Sequence, residues 1–240
     1  MNRKYLKRIA VVAIALSLVG GVALAPASMA ASSSRYITIS SDGSVKVSPD
    51  AVRLNATVSV VAGTNKDALA ATSTSSSAVR AALLANGVVA KDIATQSVTV
   101  YPEYNYTQDK GSVLVGYRGS QSFVVIIRKT ATAGAVVDAV VLAGGDNLQV
   151  SGVTPFVSDS TKATIAARTV AVKNARAKAT SYASLLGVKL GKVNYLIENS
   201  SPVVYGAPVM AMAKADSGAT QIDLGQQDVS VSISVQWALL

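Results

Sequence analysis

Residues 93–128 read IATQSVTVYPEYNYTQDKGSVLVGYRGSQSFVVIIR, and the order of the chain is decided here. Ile93 to Tyr106 is rich in Val, Thr and Tyr, which predicts a strand running into a Tyr-rich tip. Asp109-Lys110-Gly111 supplies the turn, and Val113 to Arg128 predicts a second long strand pairing with the first as a hairpin. In Phe123-Val124-Val125-Ile126-Ile127 both faces are apolar, which predicts a central strand covered on both sides.

Outward from the hairpin the pattern alternates between periods. On the N-terminal side, Val52, Leu54, Ala56, Val58 and Val60 are apolar at every second position, the signature of a half-buried strand. Between that strand and the hairpin, Ala68, Leu69, Val79, Leu83 and Leu84 predict a helix from Asn65 to Asn86, with Asn86-Gly87 closing it. Its middle, Thr72 to Ser77, consists of hydroxyl residues that compete for backbone hydrogen bonds. On the C-terminal side, Val136, Val137, Val140 and Val141 mark a helix from Ala133 to Ala143, stopped at Gly144-Gly145, and Leu148 to Val157 predicts another strand. Residues 52–157 therefore read strand, helix, strand, strand, helix, strand, the order of the split βαβ, ferredoxin-like unit of an α+β protein.

The flanks extend this unit. From Arg35 to Val47 the chain reads as a strand, or as a hairpin broken at Asp42-Gly43. A long helix is predicted from Ser158 to Leu186, started by Ser158 or Asp159 and stopped by Gly187. Its apolar arc holds Ile165, Val172, Ala175, Ala179, Ala183 and Leu186, with Arg168 intruding. Val193, Tyr195 and Ile197 mark a further strand, and residues 200–227 carry no clear period. Val229 to Trp237 alternates strictly, apolar against Ser and Gln. A stretch as long as 200–227 is expected to be functional, disordered or interface-forming.

Composition excludes several chemistries. Half of the 240 residues are hydrophobic and 15% are charged, enough apolar material for a packed core. With no Cys and no His there is no thiol nucleophile, disulfide, Ser-His-Asp triad or imidazole-held metal, and no cofactor is expected. Arg3, Lys4, Lys7 and Arg8 precede an uncharged run from Ile9 to Leu24, followed by Pro26 and Ser28-Met29-Ala30. This predicts a secretory signal peptide over residues 1–30, the alternative being an uncleaved anchor helix. Its removal takes four basic and no acidic groups, lowering the formal charge from +9 to +5 on a single domain of residues 31–240. The remaining basic residues are scattered, which favours an acidic envelope polymer or a membrane surface as neighbour and not nucleic acid.

No Gly-x-Ser-x-Gly, Ser-x-x-Lys, Walker or Gly-x-Gly-x-x-Gly pattern occurs. A carboxylate-dependent hydrolase has only Glu103 with Glu198, or Asp50 with Asp92, to draw on, and lone carboxylates usually end as solvated rim charges. No catalytic or metal residue is assigned. Tyr101, Tyr104, Tyr106 and Tyr117 gather four of the nine Tyr on one hairpin. Such a tip stacks on sugars or serves as a hot spot against protein, while aromatic cross-strand pairs also stabilise hairpins by themselves. With Val209, Met210 and Met212 of the Pro208 to Lys214 stretch, they form the candidate interface.

Several ordered stretches resemble the SIMPL-domain family of exported bacterial proteins. They are Pro49-Asp50, Asp92-Ile93-Ala94-Thr95, Tyr101 to Tyr106 and Gly116-Tyr117-Arg118 ahead of the Phe123 strand. Ala175 to Ala179, Leu186 to Gly191 and the Pro208 to Lys214 stretch follow in the family's order. Lys129-Thr130 departs from it, standing where relatives often have an acidic residue. The resemblance runs from about Tyr36 to Trp237 and implies a periplasmic, cell-surface or extracellular protein. It also implies a link to envelope or oxidative-stress defence and ring- or channel-like homo-oligomers, with no established catalytic residues. The expectation is a non-enzymatic envelope protein acting through binding or homo-oligomeric assembly. A monomeric envelope-polymer binding module and a carboxylate hydrolase are the alternatives.

Overall fold

A computed structural model describes residues 35–109, 111–199, 203–206 and 220–240. In chain order these form β1 (Tyr36–Val47), β2 (Ala51–Ala62), α1 (Asn65–Ala85), β3 (Ile93–Thr107), β4 (Gly111–Ile127), α2 (Ala133–Gly144) and β5 (Leu148–Phe156). Then come α3 (Thr161–Leu185), β6 (Leu190–Glu198), β7 (Val203–Gly206) and β8 (Gln227–Leu239). Lys110, in the predicted turn, lies outside the described residues.

The alternating pattern of 52–157 folds as predicted into an α+β unit. Its four strands pair antiparallel in the order β3-β4-β2-β5, with both helices on one face. Val52, Leu54, Val58, Phe123 and Val125 face Val79 and Leu83 of α1 and Val136, Val137 and Val140 of α2. The hydroxyl-rich middle of α1 stays helical because its side chains bond back to the turn before: Thr72 Oγ1 donates to Ala68 O at 2.7 Å and Ser77 Oγ to Ser73 O at 2.8 Å. A glycine lets this helix lie close, since a Cβ at Gly119 of β4 would fall within 3.0 Å of Ala68 O and Thr72 Oγ1. Strand β4 is central as expected, but only one of its faces is closed. Val124 and Ile126 are half-buried on the open face, opposite Asn55 and Arg53, because no helix among the described residues packs on that side.

The flanks build a second antiparallel sheet, β1-β8-β6, with β7 also on β8. Here the hairpin alternative for Arg35 to Val47 is overturned. Asp42 and Gly43 continue the ladder opposite Ser232 and Val231, so β1 is one unbroken strand. Gly43 serves clearance instead of a turn: a Cβ there would lie within 3.0 Å of Ala167 O, Ala171 N and Ala171 Cα. Helix α3 crosses β1 and β8 through a seam of Thr164, Ala167, Ala171, Ala175, Ala179 and Ala183. This corrects the predicted arc, because Ile165, Val172 and Leu186 are exposed. Backbone this close admits only small side chains. The start is corrected too. Ser158 donates its N–H (2.7 Å) and hydroxyl (2.8 Å) to the Asp50 carboxylate, Asp159 accepts from Thr161 N at 2.9 Å, and the helix begins at Thr161.

The two layers meet where β1 leads into β2. Gln227 Nε2 donates to Pro155 O at 2.9 Å, and Ile222 and Leu224 pack on the first core. Among the described residues no helix is long and apolar enough to cross a membrane.

Candidate functional site

The hairpin of β3 and β4 is longer than the sheet that supports it. Strand β2 pairs with β4 only as far as Tyr117, opposite Ala62, whereas β3 and β4 pair on to Thr107 and Gly111. Residues 103–116 therefore project as a two-stranded ribbon, with a register shift between Glu103 and Tyr104.

Tyr101 and Tyr117 sit at the root, paired with Arg118 and Pro102 respectively, and so point to opposite faces of the sheet. Tyr104 and Tyr106 lie farther out opposite Leu114 and Ser112, and are 58% and 76% exposed. Val113, Leu114 and Val115 across from them are exposed as well. The structure thus brings the four Tyr onto one hairpin. Val209, Met210 and Met212 lie outside the described residues.

An ion pair pins the root. The Arg118 guanidinium grips both carboxylate oxygens of Glu103, and its Nη1 donates to Ser59 Oγ of β2 at 3.2 Å. The Arg118 hydrogen bonds hold the Glu103 carboxyl below its ordinary range, and Glu103 in turn raises Arg118. This pair was absent from the sequence reading. It depends on the register shift between Glu103 and Tyr104, which sets Glu103 opposite Gly116 and one diagonal from Arg118, whereas the turn alone would have set Glu103 opposite Val115 and Arg118 on the other face.

The other carboxylates weighed as acid–base groups are held in the same manner. Asp92, buried, accepts from Arg128 Nε and Nη2, both at 2.7 Å. Glu198 accepts from Arg168 Nε and Nη2 at 2.8 and 3.0 Å, and Asp50 is held by Ser158. In each the pKa is lowered, chiefly by those hydrogen bonds. A general acid needs the opposite shift. Among the described residues no three Asp or Glu groups gather as a metal site. What the ribbon presents is aromatic and aliphatic surface between strand edges, which is chemistry for binding.

A ferredoxin-like unit carrying a second helix-on-sheet layer and a projecting ribbon defines a structural class, and the sequence places the chain within it. The chain belongs to the SIMPL family, described as a protein of unknown function (DUF541), whose family model matches residues 37–237. It is 31% identical over 209 residues to the 26 kDa periplasmic immunogenic protein of Brucella melitensis biotype 1, covering 83% of this chain and 82% of that protein. It is also 30% identical over 188 residues to the uncharacterized protein YggE of Escherichia coli K12, covering 76% of this chain and 72% of the relative. A YggE of Edwardsiella ictaluri is 28% identical over 226 residues, 91% of each chain.

Proposed function

We propose that this is an exported, non-enzymatic protein of the cell envelope that acts through homo-oligomeric assembly, with the Tyr ribbon as its contact. The projecting ribbon carries the reading. A two-stranded ribbon with Tyr104, Tyr106, Val113, Leu114 and Val115 in water is marginal alone, and burial against a symmetry mate removes both the apolar exposure and the open strand edges. Export is supported by the leader pattern of residues 1–30 and by the word "periplasmic" in the name of the Brucella relative. The held-down carboxylates favour a binding role over hydrolysis.

Light scattering coupled to size exclusion on the exported protein tests the assembly. A mass above the monomer, reduced by Tyr104→Asp with the thermal transition unchanged, is the expected result. A monomer at all concentrations, retained on isolated cell wall, would favour the polymer-binding alternative. The hydrolase alternative wins if Glu103→Gln and Glu198→Gln preserve stability and mass yet abolish a measured turnover.

A further inference from the structure

Helix α3 packs on β1 and β8 but barely touches β6, the edge strand of its sheet. A groove of about 360 Å³ is left between the helix and that strand. Val172 of α3 forms one wall, Val193 and Leu196 of β6 the other, and Val235 and Trp237 of β8 the floor. Val172, Val193 and Leu196 are all exposed, so the walls of the groove are apolar surface left in water. The volume is that of about twelve waters at about 30 Å³ each, which suits one alkyl chain and not two. It also falls within the range of pockets that hold small molecules, about 300–1,000 Å³.

The polar groups of this groove are few and of one kind. Arg176 and Thr180 follow Val172 at four-residue spacing, so the three share one row of the helix. Among the described residues no carboxylate lines the groove. Helix α3 carries Lys162, Arg168, Lys173, Arg176 and Lys178 and not one acidic residue, and the one acid of β6, Glu198, is taken by Arg168. Arg118, Arg128 and Arg168 each clasp a carboxylate with two hydrogen bonds, whereas Arg176 makes no ion pair or hydrogen bond with any described residue.

An apolar trough beside an unpaired guanidinium is complementary to a ligand that has an alkyl chain and a planar anion at one end. The guanidinium fork matches a carboxylate with two parallel hydrogen bonds, as the same side chain does three times elsewhere in this protein. We propose that the α3–β6 groove binds a medium-chain fatty acid, its alkyl chain lying along Val172, Val193, Leu196 and Trp237 and its carboxylate on Arg176, with the Thr180 hydroxyl as a second donor. This site is independent of the Tyr ribbon, and either reading stands without the other.

Trp237 is the sole Trp of the chain, lines the groove and is 5% exposed, so its emission reports occupancy directly. The full chain is titrated with laurate and with a bromine-labelled fatty acid of the same length, below micelle-forming concentrations. Laurate is expected to shift the Trp237 emission and the brominated acid to quench it. Each added methylene tightens binding by up to roughly fourfold. Arg176→Gln is expected to weaken the acid about tenfold while leaving dodecanol unchanged, and Leu196→Asp, at an exposed position, to abolish quenching with the urea midpoint preserved.

Absence of quenching below the micellar range would overturn the site. Equal affinity for laurate and dodecanol in the unmodified chain would overturn its anionic specificity. Quenching that appears only after residues 207–219 are deleted, or only on dilution below the range of self-association, would make that segment or a second copy the occupant in place of the fatty acid.

Discussion

At the scale of single residues the fold turns on two glycines and one buried carboxylate. Gly43 and Gly119 each let a helix rest on strand backbone, and any Cβ at Gly43 meets backbone atoms of α3 that cannot rotate away. Gly43→Ala is expected to cost about 3 kcal/mol or more, at the upper end of overpacking effects, by urea denaturation. Gly63→Ala, where a Cβ meets nothing within 4 Å, stays within about 0.5 kcal/mol. Asp92 sets a pH dependence. Its folded pKa is lowered by the Arg128 hydrogen bonds, so its contribution is fully present above the unfolded Asp pKa of about 3.9 and is lost as pH falls through the folded value. Stability measured from pH 6 down to pH 2 should therefore decline on the acid side, and the decline should be shallower in Asp92→Asn. A parallel decline in both proteins would remove Asp92 from the account.

At the scale of elements, α3 shows what a hydrophobicity pattern conceals. The arc through Ile165 and Val172 ranks highest by side-chain apolarity, yet the buried seam is the alanine row, because proximity to Gly43 leaves no room for a larger residue. The same requirement disguised β1: Asp42-Gly43 is a turn dipeptide by composition, and the glycine is needed for the helix above it. By contrast β2, β3, β4 and α1 were legible because their periods and stop signals are local. The Tyr hairpin followed from them, whereas Arg118 with Glu103 required a register that periodicity alone does not give. The exposed groove beside β6 had no sequence signal of its own, since it depends on which strands α3 fails to cover. Ala175→Leu is expected to overpack the seam by about 1–3 kcal/mol. Thr64→Ala should cost about 1 kcal/mol by removing the hydroxyl that accepts from Asp67 N at 3.1 Å at the head of α1. Urea midpoints of both variants check these values.

At the scale of the whole molecule the described residues form two cores, one around Leu83 and one around Ile233, which share no residue. Leu83→Ala and Ile233→Ala are each expected to cost about 2–5 kcal/mol for side chains this buried, with effects that add in the double variant. A double-mutant urea series would expose coupling if the layers were one packing unit. Intact mass on protein recovered from an exporting host should place the first residue at Ala31, and a retained leader would restore the anchor alternative. The pairing of β1 with β8 was not legible because its contacts are remote: Ser40 meets Ser234, 194 positions away. In a chain made from its N-terminus, β1 emerges long before β8, the strand it pairs with. Every shortened product that ends before Gln227 leaves that strand unsealed and open to proteolysis. Closure of the outer sheet thus waits on β8, and chains that stop short of it are expected to be cut by added protease where chains that include it resist.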